Sequence, residues 1–280
     1  MLNRLALAAT FASWFLVSAA PLSPAWAQEP PTLTYGSVAR LPSKVLDEER
    51  RINVFLPPAY EKSADRFPVL YLLDGSAHED YFHVTSLIDF LATYDAMPGT
   101  IVIGISNVDR RRDFTPPSED EKDRAAAPTS GGADKFVSFL ETELIPYVDS
   151  HYRTNGTRTI IGQSLGGLLA AKLLLEKPGL FDQYVIVSPS LWWNRQALLT
   201  SAPALLKKNQ TPNRKVYLSV GDEHPEMKET ARKLAGLIQK SGWKDLQFFY
   251  DYLAAEDHAT SLHISVYNAM KAFYPQQKAK

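Results

Sequence analysis

The chain has 280 residues, of which 45% are hydrophobic and 22% charged, with a formal net charge of −1 and no cysteine. That balance excludes a global attraction to nucleic acid or to an anionic membrane surface, and the lack of thiols excludes disulfides and a lipid-modified N-terminal cysteine. With no low-complexity linker, internal repeat or heptad run, the length suits one large α/β domain rather than two small ones.

Residues 1–27 read as a secretory signal peptide. Met1 to Arg4 is a short positive n-region, Leu5 to Val17 an apolar h-region, and Ala25-Trp26-Ala27 an A-x-A cleavage site. The mature domain is expected over 28–280, in a bacterial periplasm or outside the cell. The apolar run is short of the ~20 residues needed to span a bilayer and is interrupted by Pro21 and Pro24, so no stable membrane anchor is expected after cleavage.

Short apolar runs then alternate with longer helical patterns. Strands are expected at 33–38, 51–56, 69–73, 100–105, 159–162, 184–187, 216–220 and 247–252, and helices at 81–93, 135–150, 165–176, 196–206, 226–240 and 260–273. From Val69 onward the strands are almost continuously apolar, as strands covered on both faces should be. The first two look antiparallel and peripheral. The expected product is an eight-stranded, mostly parallel sheet with helices on both faces, whose ligands bind beyond the carboxyl ends of the strands.

The fifth of these strands runs into Gly162-Gln163-Ser164-Leu165-Gly166, and a helical pattern follows. A serine at this spacing between strand and helix stands clear of both, where its hydroxyl can act as a nucleophile. It needs a base. His258 lies between the last strand and the last helix, where the chain order serine, acid, histidine is met by an acid after the preceding strand. Asp222, Glu223 and Glu226 all follow that strand; Glu223 is favoured over Asp222 because its longer side chain can reach back to the imidazole Nδ1. His224, in the same loop, is the rival base, and His263, inside the last helix, reads as a packing or surface residue. The His78 to His83 run has five-residue spacing rather than the four of a zinc-binding H-E-x-x-H helix, so no metal is expected.

Acyl transfer also needs donors for the oxyanion. The amide after the nucleophile, Leu165 N–H, is one, and the loop after an early strand supplies the second, assigned to Ser76 N–H with Gly75 next. Arg110, Arg111 and Arg112 form either a solvated loop or an anion-binding cluster at the cleft mouth. Trp192 and Trp193 form either a stacking wall or ordinary packing.

Several motifs together carry a resemblance: Arg51-Ile-Asn-Val-Phe-Leu-Pro-Pro-Ala-Tyr60, Tyr71-Leu-Leu-Asp-Gly75, Arg112-Asp-Phe-Thr-Pro116, the serine junction and Ser188-Pro-Ser-Leu-Trp-Trp193. Across the whole mature chain they resemble the putative-esterase branch of the α/β-hydrolases, and look closest to periplasmic siderophore trilactone esterases of the ferric-enterobactin type. The resemblance implies an α/β-hydrolase fold and a cofactor-free serine esterase acting on a small-molecule ester, with Ser164 and His258 at its core. It supports Glu223 as the acid, although the acid position varies in this branch and some members work with a serine-histidine dyad. A feruloyl or short-chain acyl esterase, or an acyltransferase, would use the same residues, and a non-catalytic siderophore or glycan binder would use the same cleft.

Overall fold

The computed structural model describes residues 34–276; the expected signal peptide lies outside them. The strands are β1 (Ser37–Ser43), β2 (Glu48–Phe55), β3 (Phe67–Leu72), β4 (Ile101–Ile105), β5 (Thr154–Gln163), β6 (Gln183–Val187), β7 (Arg214–Gly221) and β8 (Leu246–Leu253). They form one sheet in the order β1-β2-β4-β3-β5-β6-β7-β8. The β1/β2 and β2/β4 pairs are antiparallel and all others are parallel. This is the expected eight-stranded α/β sheet.

The helices are α1 (Ala59–Lys62), α2 (Tyr81–Thr93), α3 (Arg110–Phe114), α4 (Glu121–Ala126), α5 (Ala133–Phe139), α6 (Ile145–His151), α7 (Leu165–Glu176), α8 (Trp193–Lys208), α9 (Pro225–Lys240) and α10 (Ser261–Phe273). Period-two alternation along the buried strands feeds two cores. Val69 and Tyr71 of β3 share one core with Phe136, Leu168, Leu199 and Leu234 of α5, α7, α8 and α9. Leu70 and Leu72 face Val84 and Ile88 of α2 and Val266 and Met270 of α10. A strand with helices on both sides has no polar face, which is why these segments read as unbroken apolar runs.

The short helices α1 and α4 have no counterpart in the sequence expectation, and three further elements differ from it. The first strand is Ser37–Ser43 rather than 33–38, with Ser37 opposite Val54 and Ser43 opposite Glu48. It is an edge strand with little buried surface, and Val38 is 59% exposed, so apolar alternation specifies its register weakly and pairing with β2 decides it. The helical run expected at 135–150 is α5 and α6 joined by a π-turn at Leu140–Leu144. Pro146, in the first turn of α6, lacks the N–H that would continue the α-helical ladder. The arginine segment is the short helix α3 rather than a loop, capped by the Asp109 carboxylate, which accepts from Arg112 N–H at 3.0 Å.

Candidate active site

Ser164 stands between β5 and α7 with φ 60° and ψ −118°. A positive φ on a serine costs about 1–3 kcal/mol and persists only where its surroundings enforce it. Here Ser164 N–H donates to Val187 O of β6 at 3.1 Å, and Ser190 N–H donates to Ser164 O at 3.0 Å. Gly162 and Gly166 cross so closely that a Cβ on Gly162 would collide with the Gly166 carbonyl. The Ser164 hydroxyl therefore projects beyond the sheet edge, 3.4 Å from Ser190 Oγ.

His258 and Glu223 meet beside it. His258 Nδ1 lies 2.5 Å from Glu223 Oε2, and Glu223 Oε1 accepts from the Ser188 hydroxyl at 2.5 Å and from Gly221 N–H at 3.2 Å. The Glu223 side chain is 5% exposed. Burial alone would raise its pKa, but the hydrogen bonds from His258 and Ser188 together hold it below the ordinary 4.5. The hydrogen bond to Glu223 in turn raises the His258 pKa above 6.5, against burial and the nearby charge of Arg110, which lower it. With Nδ1–H committed to the carboxylate, neutral His258 presents Nε2 as a proton acceptor. The acid and histidine loops are joined through the backbone, Asp222 N–H donating to Glu256 O at 2.6 Å. Gln163, next to the nucleophile, donates through Nε2 to the His258 carbonyl.

The competing residues are otherwise engaged. Asp222 is exposed and paired with Lys228 Nζ at 2.5 Å and with the Tyr252 hydroxyl at 2.9 Å. His224 caps α9, its Nδ1 accepting from Glu226 N–H at 3.4 Å, and Glu226 is exposed. His263 lies against His83, the rings tilted with centroids 5.7 Å apart.

Of the three expected oxyanion donors, only Leu165 keeps its N–H without an acceptor among the described residues. Gly75 N–H donates to Ile105 O at 3.0 Å, continuing the sheet. Ser76 N–H donates to Glu79 Oε2 at 3.2 Å while Glu79 N–H donates to the Ser76 carbonyl at 3.1 Å, closing a reciprocal turn. In this state neither amide of that loop is available to an oxyanion.

Two clefts flank the nucleophile, and Ser164 and His258 line both. One, of about 380 Å³, is walled by Asp74, Glu79, Asp80, Arg110 and Gln163. The other, of about 290 Å³, is walled by Ser190, Trp192, Glu223, His224 and Met227. The arginine cluster divides accordingly. Arg110 reaches the first cleft, but its guanidinium is held bidentately by Asp74 at 2.6 and 2.9 Å. Asp74, Glu79 and Asp80 outnumber Arg110 on that wall, and burial, with the charges of Asp74 and Glu79, pushes Asp80 up to about 6. Arg111 is exposed and lines neither cleft.

Arg112 is a correction to the expected anion site, because it braces the fold. It bonds Glu48 at 2.7 and 3.0 Å and Asp113 at 2.7 Å, beside fully buried Arg50, which bonds Asp113 at 2.7 Å. Removing one partner strands a buried charge. Asp113→Ala should therefore destabilise the fold by about 3–5 kcal/mol, read as a fall in urea midpoint at unchanged slope; a loss under about 1 kcal/mol would contradict this role. The tryptophans divide too. Trp192 lines the second cleft, whereas Trp193 is 3% exposed, its indole N–H bonded to Pro116 O at 2.9 Å.

Residues 43–264 match the family described as "Putative esterase". The chain is 29% identical over 254 residues, 82% of its length and 87% of the other's, to the ferri-bacillibactin esterase BesA of Bacillus subtilis. It is 33% identical over 174 residues, 56% of its length and 58% of the other's, to the siderophore triacetylfusarinine C esterase of Aspergillus fumigatus. Among solved structures it is similar to an IroE-like serine hydrolase from Shewanella oneidensis, with a TM-score of 0.79, 29% identity, and coverage of 85% of this chain and 80% of that one. With its α/β sheet, its strained serine junction and this match over most of its length, the chain belongs to the "Putative esterase" family of α/β-hydrolase-fold serine esterases.

Proposed function

We propose that the protein hydrolyses carboxylic esters through an acyl-enzyme on Ser164, with His258 as base and Glu223 as its orienting acid. The observation that carries this reading is the 2.5 Å contact of His258 Nδ1 with buried Glu223, at a cleft shared with the Ser164 elbow. Attack requires the Ser164 hydroxyl to exchange Ser190 for His258 Nε2, a hydrogen bond that commonly tightens only when substrate is bound. His258 takes the serine proton as Oγ adds to the carbonyl, Leu165 N–H faces the developing oxyanion, and the imidazolium returns the proton to the leaving alcohol. Water then repeats the sequence on the acyl-enzyme.

The base must be neutral to act. Because its pKa lies above 6.5, kcat/KM for a neutral ester should fall as pH drops through a value above 6.5, while Glu223 stays ionised across that limb. A pH–rate profile with its acid limb at or below 6.5 would contradict the pairing.

As substrate class we propose siderophore trilactones, on the strength of the named activities of the relatives. The arginine segment adds no support, since Arg110 is already neutralised by Asp74. Incubation with iron-free and ferric catecholate trilactones, beside feruloyl esters and p-nitrophenyl butyrate, tests this. The expected result is linear ester fragments at a higher kcat/KM than either control; a preference for the controls would make the protein a general acyl esterase. Export rests on residues 1–27, and N-terminal sequencing of the protein from the native host's periplasm or medium should begin at Gln28.

A further inference from the structure

Ser188 is the first residue after β6 and is fully buried. Its φ is 43°, in the left-handed region where glycine and asparagine are at home and serine is not. Its N–H donates to Ser219 O at 2.8 Å. Its hydroxyl lies 2.5 Å from Glu223 Oε1 and 3.3 Å from the buried Ser261 Oγ. Glu223 arrives from a different loop, 35 residues away. A carboxylate can turn about its terminal torsion, and that torsion is broad; what stops it here is that Oε1 already accepts Ser188 O–H and Gly221 N–H, so only Oε2 remains for the imidazole. Glycine would relieve the backbone at 188, yet the chain carries a hydroxyl there.

We infer that Ser188 is a positioning residue, which clamps one oxygen of Glu223 so that the other faces His258. The inference rests on the proposed catalytic roles of Glu223 and His258. Without the clamp the carboxylate spends time turned from the imidazole, and His258 loses the hydrogen bond that most strengthens its basicity. The charged and titratable groups around His258 are Glu223 from the β7 loop, Asp257 on its own loop, Arg110 from α3, His224 across one cleft and Asp74, Glu79 and Asp80 across the other; of these only Glu223 is touched by Ser188.

The test compares Ser188→Gly with Ser188→Ala. Both lack the hydroxyl, but only glycine tolerates the left-handed backbone, so the alanine variant should melt lower while the catalytic effects are shared. In both, kcat for p-nitrophenyl butyrate should fall about ten- to a hundredfold, short of the ~10⁴ expected for losing the orienting acid. The acid limb of kcat/KM should move to lower pH, and the far-downfield Nδ1 proton resonance of His258, observable without substrate, should broaden or shift upfield. A limb that stays or moves upward, with an unchanged resonance, would mean that Ser188 only packs. Ser164→Ala separates the two levels: if it remains active the catalytic reading fails, and if it is inactive while both Ser188 variants keep the parent limb and resonance, only the role of Ser188 fails.

Discussion

Ser164→Ala should reduce ester turnover by about 10⁶-fold with little change in melting temperature. The size of the loss follows from the site. Ser164 alone combines the projecting position beyond β5 with His258 at the same cleft, and no cysteine exists in the chain to substitute for it. The small change in stability follows from the same geometry. The strain at φ 60° is a backbone property that alanine shares, and the hydroxyl makes one long contact, 3.4 Å to Ser190. Turnover retained within about tenfold of the parent would remove Ser164 from the mechanism.

Glu223→Gln should lower kcat by up to ~10⁴-fold, and Asp222→Asn by less than about twofold. Glutamine keeps the shape of the side chain but loses the charge that stabilises imidazolium, and its amide can present N–H to His258 Nδ1 and so impose the wrong tautomer. Asp222, one residue earlier, points to solvent and to Lys228 and Tyr252. Steady-state kinetics on both variants decides the acid; two mild phenotypes would instead indicate a serine-histidine dyad.

How legible the site was in the sequence depended on how local its causes are. The elbow was readable because strand, glycines, serine and helix follow one another within a dozen residues, and the helix predicted at 165–176 is α7 as found. His258 and the acid loop were readable from chain order, because parallel strands deliver their loops to one edge of the sheet. The fate of the arginines was not readable. Arg112 finds Glu48, 64 residues away, and Arg110 finds Asp74, 36 residues away, and no local pattern encodes such pairings. Gly75 gives that loop backbone freedom, yet the sheet and a reciprocal Ser-Glu turn engage the amides of both Gly75 and Ser76. Gln163 carries no signal beyond its place next to Ser164, and Ser188, although it opens the Ser188-to-Trp193 motif, gives no sign of its contact with Glu223, 35 residues away.

The central claim is that Ser164 is the nucleophile, and its most direct measurement is the mass-spectrometric location of a fluorophosphonate adduct on the intact protein. The rival hydroxyls are close: Ser190 lies 3.4 Å from Ser164, and Ser188 bonds the acid. The expected result is a single adduct on Ser164, absent from Ser164→Ala and formed more slowly in Glu223→Gln. An adduct on Ser190, Ser188 or any other residue, with Ser164 unmodified, would contradict the assignment.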